Sequence, residues 1–166
     1  GQRVLLDEAH MGAAEGVFQT LLGQQVPTSG QALIDGRPCQ DFTTLRGADG
    51  IVFVETMPVL FFGTILENIS AFGDGARIDH ALALAAQLGL DEIVHRLPSG
   101  YNTRLGDNGS FNDAPSTGQL ISLVRAFAMR PRLLLMHDGA AECIADGKID
   151  GAGSNDENPS VIAGAA

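Results

Sequence analysis

The chain has 166 residues, 45% hydrophobic and 18% charged, a composition that permits one domain with a sizeable core and argues against global disorder. Twenty acidic residues against ten basic ones give a net charge of −10, which argues against nucleic acid or an anionic membrane surface as the main partner. No apolar run approaches the ~18 residues of a membrane span, and Lys148 is the only lysine.

The hydrophobic pattern predicts strands and helices in alternation. Thr64 and Glu67 have the spacing of a capping box, which opens a helix. The unbroken apolar run from Leu133 to Met136 is typical of a parallel strand buried on both faces. In chain order, we expect a strand at 4–6, a helix at 13–22, a hairpin about Asp35-Gly36, a strand at 51–55, helices capped by Thr64, Asp79 and Asp91, a helix over 120–127 and a strand at 133–136. This order indicates an α/β chain with a helical insert at 64–97.

The composition changes near the end of the chain. From Gly147 onward the sequence is acidic, rich in Gly, Ala, Ser and Asn, and without aromatic residues. Such a segment has little apolar surface to bury, so we expect a single domain over 1–146 and a flexible acidic C-terminal tail over 147–166.

Cysteine and acidic residues give no strong metal or disulfide pattern. Cys39 and Cys143 are too few for a disulfide framework and lack metal-site spacing, so we expect free, buried thiols in a reducing compartment. The segment 146–151 nearly fits a calcium-loop pattern, but Lys148 places a cation where a ligand oxygen belongs. We therefore expect no metal site.

Four segments in unbroken order resemble those of one family. The segment 27–37 contains P-T-S-G-x-x-x-I-D-G, 60–69 is L-F-x-G-T-I-x-E-N-I, and 97–106 is L-P-x-G-Y-x-T-x-L-G. The segment 120–136 is similar to a helix and strand that precede a catalytic carboxylate. Together they resemble the nucleotide-binding domain of ATP-binding-cassette (ABC) transporters of the bacterial exporter type. The resemblance implies a P-loop NTPase-like α/β core with a mostly parallel sheet, an antiparallel hairpin and a helical subdomain at about 66–130.

The phosphate loop departs from the family pattern. In G-x-x-x-x-G-K-[ST], backbone N–H groups wrap the phosphates, the lysine bridges them and the hydroxyl holds Mg²⁺. Gapless matching places three glycines, the lysine and two hydroxyl residues on Glu8, Met11, Ala13, Ala14, Glu15 and Gly16, with Gly12 also inside the loop. Because Lys148 is the only lysine, no shift of register restores the cation. Glu15 adds a negative charge where a triphosphate would lie.

The other nucleotide motifs of the family are also altered. Thr56 stands at the position of the Q-loop glutamine. His137 and Asp138 stand at the positions of the Mg²⁺ aspartate and the catalytic glutamate, and no histidine follows His137 to act as the switch residue. The signature L-S-G-G-Q falls, with one residue inserted, in a region that contains Asp113, Ala114, Pro115, Ser116, Thr117, Gly118 and Gln119.

The resemblance and these departures together predict a degenerate ABC-type domain that does not hydrolyse ATP and has a structural or regulatory role in an exporter-like complex. Its expected partners are a transporter membrane domain, a second nucleotide-binding domain, or both, at the cytoplasmic face of the inner membrane, with no nucleic acid. ATP and Mg²⁺ serve the family, but we expect no cofactor in the isolated domain. Two alternatives stay open: a weak ATPase that completes its site with a partner domain, and a non-nucleotide binding module on the same fold.

Overall fold

The computed structural model describes residues 3–6, 11–42, 50–105, 115–137 and 160–164. The strands are β1 (Arg3–Leu6), β2 (Leu33–Ile34), β3 (Arg37–Pro38), β4 (Ile51–Val54), β5 (Gly63–Thr64), β6 (Arg104–Leu105), β7 (Leu133–His137) and β8 (Ser160–Gly164). The helices are α1 (Met11–Leu21), α2 (Ile65–Ile69), α3 (Gly75–Gln87), α4 (Leu90–Val94) and α5 (Pro115–Ala128), with 3₁₀ turns at Cys39–Phe42 and Gly100–Asn102. Among the helices in these ranges, none is long and apolar enough to cross a membrane.

The main sheet has four strands in the order β1-β8-β7-β4, and all three neighbouring pairs are parallel. Two small antiparallel pairs, β2 with β3 and β5 with β6, lie outside it. The expected fold class, an α/β chain with a mostly parallel sheet, an antiparallel hairpin and helices, is confirmed.

The strand β7 separates two hydrophobic clusters. Leu134 and Met136 pack with the buried residues of α2 to α5, whereas Leu133 and Leu135 pack with Phe18 of α1 on the other face. These four β7 side chains are at most 4% exposed. The alternation follows from strand geometry, in which successive side chains point to opposite faces. The prediction of a central strand that is covered on both faces is confirmed.

The local turn and cap signals of the sequence are confirmed at two places. Asp35 and Gly36 have φ angles of 50° and 76°, as a two-residue primed hairpin turn requires, and they join β2 to β3. At α2, the Thr64 N–H donates to Glu67 Oε2 at 2.7 Å, and the Glu67 N–H donates to Thr64 Oγ1 at 3.1 Å. These two bonds form the expected capping box.

Two predicted helix starts are wrong. The N-cap of α3 is Asp74, whose carboxylate accepts the Arg77 N–H at 3.4 Å, and Asp79 lies inside the helix. The N-cap of α4 is Gly89 in the left-handed conformation, and Asp91 lies in the first turn. Aspartate is favoured both as an N-cap and in the first turn of a helix, so an aspartate near a helix start does not by itself identify the capping residue.

The expectation of a tail without stable structure does not hold for Ser160–Gly164. These residues form β8, which pairs with β1 on one side and β7 on the other. A five-residue strand with β-branched Val161 and Ile162 satisfies the backbone groups of both neighbours. The remaining tail residues, 147–159 and 165–166, lie outside the described residues, as does Cys143. Cys39 is fully buried and unpaired, as expected, and its thiol donates to the Thr20 carbonyl at 3.3 Å.

The buried position of Leu134 makes it a sensitive test of the sheet. Leu134→Ala should lower the free energy of unfolding by roughly 2–5 kcal/mol, because it leaves a cavity between β7 and the helices. The control is Leu33→Ala, whose side chain is 51% exposed and whose loss should have a much smaller effect. Urea denaturation of both variants measures the difference. A loss below about 0.5 kcal/mol for Leu134→Ala would mean that β7 is not a central strand.

Candidate functional site

The carboxyl ends of the four parallel strands meet at one edge of the sheet. Leu6 pairs with Gly164, Gly164 pairs with His137, and Val54 pairs with Met136, so the strand ends are level within one residue. In open α/β sheets, ligands bind outside this edge. The edge is therefore where a ligand site on this fold is expected.

Three of the sequence-predicted site segments follow these strand ends. The predicted phosphate loop follows β1, Thr56 comes two residues after β4, and His137 is the last residue of β7. Thr56 is exposed. Glu8 and Asp138 lie outside the described residues. The strand order thus places the last residues of these strands, Leu6, Val54 and His137, along one edge of the sheet.

The predicted phosphate loop is largely helical. Helix α1 begins at Met11, so Met11, Gly12, Ala13, Ala14, Glu15 and Gly16 form its first turns. Only the first four N–H groups of a helix lack a carbonyl partner within it, and with α1 beginning at Met11 the last of these is that of Ala13. A glycine-rich phosphate loop offers more backbone N–H groups than this, together with a lysine. Residues 11–16 contain no lysine or arginine that could supply a cation to a phosphate.

The predicted signature region is mostly buried at the start of α5. Thr117 is 2% exposed, Gln119 is 8% exposed and Gly118 is also buried, whereas Ser116 is exposed. Pro115 is the first residue of the helix, where its missing N–H has no cost. Asp113 and Ala114 lie outside the described residues. The burial shows that Thr117 to Gln119 pack inside the protein.

The signature region contacts the segment that follows β4. Gln119 Nε2 donates to the Glu55 carbonyl at 3.4 Å. A Cβ atom added to Gly118 would lie 2.9 Å from Pro58 Cγ, so the absence of a side chain at Gly118 allows this close approach. The signature region therefore contacts Glu55 and Pro58, which lie on either side of the Q-loop position, Thr56.

Two polar residues that the sequence analysis did not select hold this same segment. Asn68 is fully buried on α2: its Oδ1 accepts the Phe61 N–H at 2.8 Å and its Nδ2 donates to the Phe61 carbonyl at 2.9 Å. Arg125 on α5 donates to the Val59 carbonyl at 2.6 Å. A signal was present in the sequence, since each is a polar residue on a helical face that is otherwise apolar.

The titratable groups of the described residues show few large perturbations. Burial lowers the pKa of Arg125. Burial, and then the hydrogen bond to Asp91, raise the pKa of Tyr101, whose hydroxyl donates to the Asp91 carboxylate at 2.8 Å. No group of three or more His, Cys, Asp or Glu side chains with metal-binding geometry occurs within the described ranges.

A set of exposed apolar side chains lies beside the segment after β4. We call it the apolar patch; it consists of Met57, Val59, Phe61, Phe62 and Phe72, which are between 46% and 77% exposed. The rings of Phe61 and Phe72 are in an edge-to-face arrangement, with their centroids 6.4 Å apart. Ala71 and Phe72 have positive φ angles of 52° and 56°, an uncommon conformation for residues other than glycine. A turn that is held in this conformation next to exposed aromatic rings is a sign of function.

Comparisons with known proteins place the chain among transporter components. It is 34% identical over 125 residues to an uncharacterized ABC transporter ATP-binding protein, YfiB, of Bacillus subtilis, a match that covers 75% of this chain and 22% of that protein. It is 37% identical over 116 residues to a fatty acid ABC transporter ATP-binding/permease protein of Mycobacterium tuberculosis, covering 68% of this chain and 18% of the relative. No protein-family model matches the chain.

The chain belongs to the ABC transporter ATP-binding family. Its fold agrees with that of a bacterial Atm1-family ABC exporter with ATP bound, with a TM-score of 0.72, 21% sequence identity, and coverage of 99% of this chain and 29% of the exporter chain. The chain spans about a fifth of the length of these two curated relatives. The resemblance to exporter nucleotide-binding domains is confirmed at the level of family and fold.

The close packing of Gly118 against Pro58 can be tested with a matched pair of glycines. Gly118→Ala should destabilise the domain by about 1–3 kcal/mol, because the new methyl group overlaps the Pro58 ring. Gly75→Ala, in the first turn of α3, meets nothing within 4 Å and should be neutral or stabilising. Chemical denaturation of the two variants gives the comparison. Equal stabilisation by both substitutions would show that Pro58 does not lie against α5.

Proposed function

We propose that this chain is a degenerate ATP-binding domain of an ABC exporter-like transporter that does not hydrolyse ATP and serves a structural or regulatory role. The observation that carries the proposal is that the sheet has the strand order of a ligand-binding fold, whereas the residues after β1 lack the groups that bind phosphate. The strand order and the level carboxyl ends are those of a sheet that binds ligands at this edge, yet the residues at the edge are unsuited to a triphosphate.

The phosphate site lacks its cation and carries an opposing charge. Ala14 stands at the lysine position and Glu15 beside it. Two unit charges about 4 Å apart repel by ~1 kcal/mol in water and by several times more when partly desolvated. The N-terminus of α1 offers only the partial charge of a helix dipole in return. A tetra-anionic nucleotide therefore has no adequate counter-charge here.

The positions of the Mg²⁺ ligand and the catalytic carboxylate also carry residues that are less suited to ATP hydrolysis. His137 replaces a hard oxygen ligand with an imidazole, which Mg²⁺ does not favour. Asp138 retains a carboxylate at the position of the catalytic glutamate, with a side chain shorter by one methylene. This retained carboxylate is the one feature that favours the second candidate, a weak ATPase that completes its site with a partner domain.

The apolar patch supports a role as a docking component. One of the relatives is a fatty acid ABC transporter ATP-binding/permease protein, of which this chain matches 18%. Five exposed apolar side chains fall within residues 57–72, and two of them, Phe61 and Phe72, are in ring contact. Contiguous apolar patches of this kind mark interaction sites. We infer that the patch contacts the membrane domain of the transporter, at the cytoplasmic face of the inner membrane.

The first test measures nucleotide binding. The chain should neither hydrolyse ATP nor bind Mg-ATP at micromolar concentration, because the cation and the loop glycines are missing. Ala14→Lys alone should not restore binding, since Glu15 still opposes the phosphates and side chains still fill the loop. Isothermal titration calorimetry with Mg-ATP provides the measurement. A micromolar dissociation constant for the unaltered chain would overturn the proposal in favour of the weak ATPase.

A combined variant is the positive control for this test. It carries Glu8→Gly, Met11→Gly, Ala13→Gly, Ala14→Lys, Glu15→Ser and Gly16→Thr. It should gain at least millimolar affinity for a fluorescent ATP analogue with Mg²⁺ if the gapless register is right. A folded combined variant without binding would show that the register is wrong or that the loop serves another ligand.

The second test addresses the apolar patch. Phe62→Ser with Phe72→Ser should weaken binding to the detergent-solubilised membrane domain of the same transporter by roughly fivefold or more, since aromatic anchors dominate interfaces. The fold should persist because the two residues are 77% and 56% exposed. The matched control is Val26→Ser with Leu33→Ser, exposed by 78% and 51% outside the patch. Equal binding by both double variants would exclude the patch as the docking surface.

A further inference from the structure

The segment from Glu55 to Phe62, which carries most of the apolar patch, lacks the usual support of main-chain pairing. It is neither helix nor strand, and within the described residues no main-chain-to-main-chain hydrogen bond outside the regular elements involves it. A connection of this length that relies on solvent alone would sample many conformations. Among the described residues, it is side chains that supply the hydrogen bonds to this segment.

Three side chains supply hydrogen bonds to this backbone. Asn68 contacts Phe61 through both its amide oxygen and its amide nitrogen, which imitates the two-bond exchange of an antiparallel strand pair. Gln119 donates to the Glu55 carbonyl at the beginning of the segment. Arg125 donates to the Val59 carbonyl in the middle. Two of these three residues lie on α5.

Arg125 also contacts Asn68, Ser122 and the Phe61 ring. Its Nη1 is 3.4 Å from Asn68 Oδ1, its Nη2 is 3.5 Å from Ser122 Oγ, and its guanidinium carbon lies 4.6 Å from the centre of the Phe61 ring. Only a planar guanidinium can make a fork of hydrogen bonds and stack on a ring at the same time. Among the described residues no carboxylate forms an ion pair with Arg125, so its contacts act through geometry more than through charge pairing.

We infer that Arg125 is a positioning residue, which together with Asn68 locks the apolar patch onto α5, so that the patch and the signature region at the start of α5 move as one unit. The inference rests on the proposed function in one respect, that the patch is the docking surface. Displacement of the segment by a partner would then act on α5 directly. A change at the signature end would likewise alter the shape of the patch.

The test compares Arg125→Lys with Arg96→Lys. Lysine keeps the positive charge but loses the fork and the stacking, whereas Arg96 is exposed two residues after the end of α4 and is not one of the patch residues. Amide hydrogen exchange followed by NMR reports on the Phe61 N–H, which is held only by Asn68 Oδ1 among the described residues. Arg125→Lys should speed its exchange by roughly tenfold relative to the amides of α5 and β7, and Arg96→Lys should not.

The outcomes separate a positioning role from general stability. An unchanged Phe61 exchange rate, or an equal increase across α5 and β7, would overturn the inference. If Arg125→Lys does not fold, Phe61→Leu removes the stacked ring with a smaller change, and local exchange at residues 59–62 should rise in the same way. An unchanged rate in that variant would also overturn the inference.

The partner arm measures affinity for the detergent-solubilised membrane domain of the same transporter. Arg125→Lys should weaken binding about threefold or more although Phe62 and Phe72 are unaltered, since a mobile surface binds with an added entropic cost. Normal binding by Arg125→Lys, in a protein where Phe62→Ser with Phe72→Ser reduces binding, would refute the link between Arg125 and docking. Normal binding by the double variant refutes the docking proposal instead, and the exchange result then decides the positioning role alone.

Discussion

The fold depends on the burial of β7 between two apolar layers. Its alternating leucines pack against α1 on one face and against the α2–α5 helices on the other, and its edges pair with β4 and β8. Because a parallel strand in this position sets the direction of its neighbours, the carboxyl ends of all four strands meet at one edge. Leu6, Val54 and His137 end at the same edge for this reason, whatever side chains follow them.

The second constraint is the need to satisfy backbone groups in the irregular segment after β4. Regular pairing does not reach it in the described part of the chain, so Asn68, Gln119 and Arg125 provide donors and acceptors from two helices. Each of these polar side chains is acceptable in a largely apolar environment because its partners are in place. The same contacts hold exposed aromatic rings at the surface, which links the packing of α5 to the proposed docking surface.

The fold of this chain does not depend on the residues that bind phosphate in the family. The strand order, the position of α1 and the agreement with an ABC exporter fold do not depend on a lysine or on loop glycines, because they follow from hydrophobic burial and strand pairing. Phosphate binding depends on those few residues alone. The proposed loss of hydrolysis therefore requires no change in the fold, and the apolar patch is independent of it.

The sequence by itself determined the family, the α/β order of elements, the buried strand at Leu133 to Met136, the hairpin at Asp35-Gly36 and the Thr64–Glu67 capping box. These depend on local patterns, in which neighbouring residues carry the whole signal. Tertiary structure alone decided that Ser160–Gly164 is a strand, since a short run in a segment poor in apolar residues forms only because β1 and β7 lie on either side of it. It alone also decided the partners of Arg125, Asn68 and Val59, which come from distant parts of the chain. Hydrogen bonds between such segments have no sequence period, so only the assembled core shows which polar residue is a positioning residue.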